Sequence, residues 1–214
     1  MSKRIFVTAT NTDIGKTYTS KLLIKEFASR RIRVGAIKLI ETGVVDFAPD
    51  AEALLACVQE VNPAFKDIKV KDIVPITYAL PAAPYVSSNA TSLDLELLNA
   101  AVVKLEKLCD VLIIEGAGGL YVPIDEKYMM IDMIEHFEAS TLLVTHCSLG
   151  CINDTILSER ALNDKNIKYL TAFNCRASDD SFKDVSEPYF LNTREKVLKV
   201  GSDIDTICDV LYNL

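Results

Sequence analysis

Ile5-Phe6-Val7-Thr8-Ala9-Thr10-Asn11-Thr12-Asp13-Ile14-Gly15-Lys16-Thr17 decides how the rest of the chain is read. Its opening is apolar, β-branched and aromatic, which predicts a buried strand; Gly15-Lys16-Thr17 then opens a segment with helical spacing. In a strand, loop and helix arranged in that order, the backbone N–H groups of the loop and first helical turn converge on one spot. The helix dipole adds positive potential there, so the junction suits a polyphosphate. Lys16 is placed to reach the β- and γ-phosphates, and the Thr17 hydroxyl to ligate Mg²⁺.

The match to a Walker A loop is partial, because Thr10 stands where the strict pattern has glycine. Gly-Lys-Thr is common by itself and is equally a helix start with a solvated lysine. Its position directly after the first predicted strand favours the phosphate loop.

Composition bounds the alternatives. The chain has 214 residues, 50% hydrophobic and 25% charged, which suits one α/β domain over residues 1–214 that buries roughly 70% of its unfolded surface. A net charge of −7 argues against a nucleic-acid partner, and the basic start Ser2-Lys3-Arg4 is too short for a tail. Met1 to Arg4 leads into a strand rather than an apolar signal core, and no apolar run reaches the length of a membrane span, so the expected location is the cytoplasm. The six cysteines, Cys57, Cys109, Cys147, Cys151, Cys175 and Cys208, are scattered, and buried thiols are expected rather than disulfides. His146, Cys147 and Cys151 form one close group without the second pair that a zinc site needs.

Taken in order, residues 16–31 predict the first helix and 34–40 a second strand that carries Lys38. An ammonium within Val-Gly-Ala-Ile-Lys-Leu-Ile is costly unless it is paired or faces a cleft, and the carboxyl end of a parallel strand offers one. Residues 41–49 form a loop and 50–61 a helix; 62–92, with Pro75, Pro81 and Pro84, are the least regular part. Thr91-Ser92-Leu93-Asp94 resembles a capping box ahead of a helix to about residue 108. Further strands are expected at 110–114, 141–145 and 167–173, with helices at 130–137, from about 151 to 163, and at 202–212, and an irregular stretch at 177–189. Strands alternating with helices imply a mostly parallel sheet flanked by helices on both faces.

The second strong signal is Glu115-Gly116-Ala117-Gly118-Gly119 at the tip of an apolar strand. Glutamate is rarely buried without a partner, and the glycines leave room for close approach to the backbone. A Mg²⁺ ion bridging phosphates supplies both the charge and the need for space.

Four motifs, Thr12-Asp13-Ile14-Gly15-Lys16-Thr17, Lys38 with Thr42, Glu115-Gly116-Ala117-Gly118-Gly119 and Leu149-Gly150-Cys151-Ile152-Asn153, together resemble the ordered set of the dethiobiotin synthetase family. The resemblance runs from residue 3 to about Asn174. It implies a P-loop NTPase-like fold, a homodimer, and ATP- and Mg²⁺-dependent closure of the ureido ring of dethiobiotin from 7,8-diaminopelargonate and CO₂. It further implies Lys16 and Lys38 as catalytic residues, and a nucleotide site of Thr12, Asp13, Ile14, Gly15, Lys16, Thr17, Tyr18, Glu115, Gly116, Ala117, Gly118, Asn174 and Cys175. Thr17, Glu115 and either Asp50 or Asp46 are the implied metal ligands. Thr42, Gly150, Cys151, Ile152, Asn153 and Tyr189 are the implied substrate contacts, with 150–153 serving the neighbouring subunit. Ala9 stands where the family has a small glycine, and Cys175-Arg176 follows Asn174 where the family continues with aspartate, which leaves ATP as the default base and GTP or CTP open. The alternative from another class is a switch ATPase of the partitioning or septum-site type. Those proteins carry a signature lysine where this chain has Asn11.

Overall fold

The computed structural model describes residues 2–194 and 196–214; Met1, the start of the short basic lead into the first strand, lies outside them. The first half runs β1 (Lys3–Ala9), α1 (Lys16–Ser29), β2 (Val34–Lys38), β3 (Ile40–Thr42), α2 (Pro49–Val61), a 3₁₀ turn (Pro63–Phe65), α3 (Val70–Ile73), β4 (Ile76–Tyr78), α4 (Pro84–Ser87) and α5 (Leu95–Glu106). The second half runs β5 (Val111–Gly119), α6 (Met130–His136), β6 (Ser140–His146), α7 (Cys151–Asp164), β7 (Tyr169–Asn174), α8 (Phe182–Val185), α9 (Glu187–Thr193) and α10 (Ile204–Asn213).

Among the described residues five strands form one sheet in the order β2-β5-β1-β6-β7, every pairing parallel. The chain first steps outward from β1 to β2, then returns and lays β6 and β7 on the other side. Right-handed crossovers in opposite directions put helices on opposite faces. Accordingly α1 packs with α2 and α10, while α5 and α6 contact β5 and α7 contacts β6. The reversal beside β1 is where an open parallel sheet forms a crevice at the carboxyl ends of its strands. The middles of the strands are largely apolar because both faces are covered: Ile5, Phe6 and Val7 of β1 and Val111, Leu112, Ile113 and Ile114 of β5 are fully buried.

Several sequence expectations change in the folded chain. The predicted strand at 34–40 breaks after Lys38; Ile40 leaves the main sheet to pair with Ile76, and Thr42 with Tyr78, in a separate two-stranded parallel sheet. The run stays apolar across the break, since Leu39 and Ile40 are both fully buried, so periodicity gives no sign of it. The cap of α5 is Asp94 itself, whose carboxylate accepts from the Leu97 N–H at 2.9 Å, and Thr91 instead donates back to the Ser88 carbonyl. The stretch at 177–189 contains α8 and the start of α9, which bury Phe182 and Phe190 against Phe173.

Cys57, Cys109, Cys151 and Cys208 are buried thiols as expected, but Cys147 and Cys175 are joined in a disulfide. The cause is register. His146 on β6 is the partner of Asn174 on β7, so the residues that follow them emerge side by side with Cα atoms 4.9 Å apart. Spacing along the chain does not reveal that pairing.

Candidate active site

The loop between β1 and α1 brings the chain to Gly15, whose φ of +103° lies in the left-handed region that side chains rarely adopt. Among the described residues no side chain caps α1, so its first-turn N–H groups stay available to a ligand. Asn174, at the end of β7, braces the loop by donating its side-chain amide to the Ile14 carbonyl at 2.8 Å. A Cβ at position 15 would stand only 2.2 Å from that amide nitrogen.

On the other side of β1 the register shifts: Val7 faces Glu115 but Ala9 faces Gly119, so Thr8 alone opposes residues 116–118. Such a bulge re-aims side chains, here between two interior strands of the sheet. The space beside the glycines is taken up by the chain itself: a Cβ on Gly116 would meet Phe6 at 2.9 Å, and one on Gly118 would meet Val122 at 2.6 Å. Close approach is by side chains at Gly116 and Gly118 and by backbone at Gly119, where a Cβ would stand 3.1 Å from the Thr10 carbonyl oxygen.

Beneath the loop lies a compact polar cluster. Lys38 and Glu115 are register partners on β2 and β5, and the Lys38 ammonium donates to Glu115 Oε1 and Asp50 Oδ2, each at 2.8 Å, and to the Gly116 carbonyl at 3.3 Å. Ser20, one turn into α1, donates to Glu115 Oε2 at 2.7 Å. The Thr17 hydroxyl lies 2.9 Å from Asp50 Oδ1 and 2.8 Å from Glu115 Oε1. A hydroxyl has one proton and can serve only one of these carboxylates at a time. Three hard oxygen donors crowded together with a shared proton form a set that fits a small divalent cation. Asp50 is thus the carboxylate at the cluster, whereas Asp46 is exposed on the loop before α2.

The two lysines differ electrically. Burial first, and then the charge of Lys38, push the Lys16 ammonium down to about 8. Burial also opposes the charge on Lys38, but Glu115 and Asp50 outweigh it and hold that pKa above the ordinary lysine value. For Asp50 burial pulls upward and the attraction of Lys38 pulls harder, leaving the carboxyl below its usual range. Lys38 is therefore a fixed cation, whereas the charge on Lys16 is held less firmly and is favoured further when an anion arrives.

The cluster opens into a cavity of ≈ 920 Å³, within the size range of small-molecule sites. Thr12, Asp13, Gly15, Lys16, Thr17, Tyr18, Lys38, Thr42, Asp50, Ala117 and Gly118 line it. Ile14, Gly116 and the fully buried Glu115 are not part of its lining. Gly150, Cys151, Ile152 and Asn153 sit beyond the end of β6, outside this cavity; the Cys151 side chain is buried, and Leu149 just before them is 83% exposed. Tyr189 lies on α9, half-exposed against Phe190, also outside the cavity. Cys175 is held in the disulfide.

Sequence reasoning missed Ser20, Glu41 and Arg176. Ser20 follows Thr17 by three positions, on the same helix face. Glu41 carries the signal that singled out Lys38, a charge at the end of an apolar run, and is 4% exposed. Arg176 lines the cavity and donates to the Asp13 carbonyl.

A family model described as an AAA domain matches residues 3–210. The chain is similar in fold to a plasmid partition protein from Borrelia burgdorferi, with a TM-score of 0.60 at 11% identity, covering 99% of this chain and 98% of that one. It is 41% identical over 186 residues to the ATP-dependent dethiobiotin synthetase of Sulfurovum sp. (strain NBC37-1), covering 87% of this chain and 89% of the relative. With the enzyme of the same name from Wolinella succinogenes it shares 32% identity over 214 residues and 99% of both chains. Likeness at that level along both full lengths goes beyond a shared architecture, and the chain belongs to the ATP-dependent dethiobiotin synthetase family.

Proposed function

We propose that the chain is an ATP-dependent dethiobiotin synthetase of biotin biosynthesis, a ligase that closes the ureido ring from 7,8-diaminopelargonate, CO₂ and ATP. The observation that carries the reading is the convergence of Lys16, Lys38, Thr17, Asp50 and Glu115 at one end of a cavity that continues to Thr42.

In this reading one amine of the diamine takes up CO₂ to give a carbamate and a proton. A carbamate oxygen attacks the γ-phosphorus and ADP leaves. The second amine then adds to the carbonyl carbon of the mixed anhydride, phosphate departs and the ring closes. Phosphoryl transfer asks chiefly for positioning and for neutralisation of charge. Lys16 meets the β- and γ-phosphates from the loop. Lys38, a permanent cation, acts electrostatically on the carbamate and the transferred group rather than as a base. Thr12 to Tyr18, with Glu115 to Gly118, form the phosphate cradle, and Asn174 and Cys175 border the base of ATP. Thr17, Asp50 and Glu115 would hold Mg²⁺, which supplies charge neutralisation on the triphosphate when bound.

Thr42 and Tyr189 contact the diamine, and residues 150–153 contact the diamine held by a neighbouring subunit. Their place outside the cavity, beside the exposed Leu149, supports a homodimer with substrate near its interface. Residues 1–214 act as one domain. Among the described residues no helix is long and apolar enough to cross a membrane, and with the acidic charge this supports a cytoplasmic enzyme without a nucleic-acid partner.

The test is phosphate release from Mg²⁺-ATP by the purified chain, followed with the organic product. Release should require both 7,8-diaminopelargonate and bicarbonate and match dethiobiotin formed. Release indifferent to both would defeat the reading.

A further inference from the structure

We propose that Glu41 is a positioning residue that sets the place of Asp50, and with it the affinity of the site for a divalent cation. The proposal deepens the function inferred above and rests on the reading of Asp50 as a metal-binding carboxylate.

The N–H groups at the start of α2 have no partner within the helix. Ala48 is the residue before the helix and has no side chain able to cap it. Pro49, the first helical residue, has no N–H. Glu52 donates to the Ala48 carbonyl at 2.8 Å. The remaining two donors, Asp50 N–H and Ala51 N–H, both go to Glu41, to Oε1 at 2.9 Å and Oε2 at 3.0 Å. One carboxylate from another element thus completes the helix terminus. Its negative charge also suits the positive end of the helix dipole.

Glu41 is itself held fast. It is the middle residue of β3, its backbone is aligned with Thr77 of β4, and it is 4% exposed. A serine or aspartate at position 48 would cap α2 locally. The remote carboxylate does something a local cap cannot, which is to fix α2 relative to β3. Asp50 is gripped from both ends: its backbone N–H by Glu41, and its carboxylate by Thr17 and Lys38. The next residue along β3 is Thr42, which lines the cavity. Glu41 therefore ties the expected metal-side carboxylate to the expected substrate-side strand.

The experiment uses the full chain with Glu41→Ala and Glu41→Gln. Three quantities are read: amide hydrogen exchange at residues 50–52, calorimetric ATP binding with and without Mg²⁺, and turnover as a function of Mg²⁺ concentration. A cap of ordinary strength converts to roughly a tenfold effect, so in Glu41→Ala exchange at Asp50 and Ala51 should quicken about tenfold and the Mg²⁺ requirement for ATP binding should rise by a similar factor. ATP binding without Mg²⁺ should stay within about twofold, as expected where a metal ligand and not the phosphate loop has moved. Glu41→Gln keeps one acceptor and should recover part of both effects. An unchanged Mg²⁺ requirement in a folded variant with faster exchange at residues 50–51 would overturn the proposal and leave Glu41 as a helix cap only. If Glu41→Ala does not fold, Glu41→Gln carries the same two outcomes. A wild-type chain that makes no dethiobiotin would defeat the proposed function, yet exchange and Mg²⁺-ATP binding would still decide the role of Glu41.

Discussion

Lys38 and Glu115 occupy partnered positions on adjacent parallel strands, and their side chains meet at 2.8 Å with the glutamate fully buried. A buried pair of this kind is weak evidence for stability, because desolvation offsets much of the attraction. Its value here is placement: the backbone register of β2 and β5 fixes where a cation and an anion stand before any ligand arrives.

Replacing Lys38 with methionine keeps the volume and removes the charge. Turnover should fall by roughly 10²–10³-fold, the loss typical for one preorganised electrostatic group, with ATP affinity changed only a few fold. Calorimetry of ATP binding alongside dethiobiotin formation checks both halves. Turnover at the wild-type rate would show that the lysine serves only the fold.

Ser20→Ala removes the hydrogen bond made to Glu115 Oε2. Leaving a buried acceptor unsatisfied costs about 1–3 kcal/mol, which lowers the Tm of a chain this size by roughly 2–12 °C. Thermal unfolding without ligand measures it. Mg²⁺ should bring the variant closer to the wild type, since a cation at the cluster compensates the buried charge that has lost a partner.

Gly15→Ala meets two obstacles, the positive φ and the Asn174 amide 2.2 Å from the new Cβ. The backbone penalty alone is about 1–2 kcal/mol, so ATP affinity should fall roughly tenfold or more with the strands undisturbed. Nucleotide titration with a circular dichroism control tests it.

Lys16 gives a pH signature. Its folded-state pKa of about 8 is below the ordinary lysine value, so in the free enzyme the ammonium is present below about pH 8 and lost above it. A triphosphate stabilises the charged form and must draw in a proton above that point. ATP affinity should therefore be flat on the acid side and fall by up to about tenfold per pH unit on the alkaline side, until the raised pKa of the bound lysine is passed. Calorimetry in buffers of different ionisation enthalpy would detect the proton uptake; affinity level through pH 9 would refute it.

Much of this site was legible in the sequence because its parts break local rules. A lysine inside an apolar strand, a glutamate at the tip of another and a Gly-Lys-Thr at a strand-to-helix junction are each costly without a ligand or partner. The less visible features depend on register and on chain reversal. Leu39 and Ile40 look like continued strand although the chain leaves the sheet between Lys38 and Ile40. Cys147 and Cys175, separated by 28 positions, meet only because β6 and β7 run side by side. Glu41 caps a helix nine positions away, beyond the three- or four-residue window of a capping motif.

The bulge opposite Thr8 has a consequence for anyone re-engineering this chain. The strands are back in step at Ala9 and Gly119, so the three residues 116–118 form a spacer of defined length. Deleting one would take Gly119 out of step with Ala9, and the segment leading to Leu120 would no longer end where the core receives it. The phosphate loop therefore cannot be transplanted as the familiar short peptide; a working graft has to bring the tip of the neighbouring strand, spacer included.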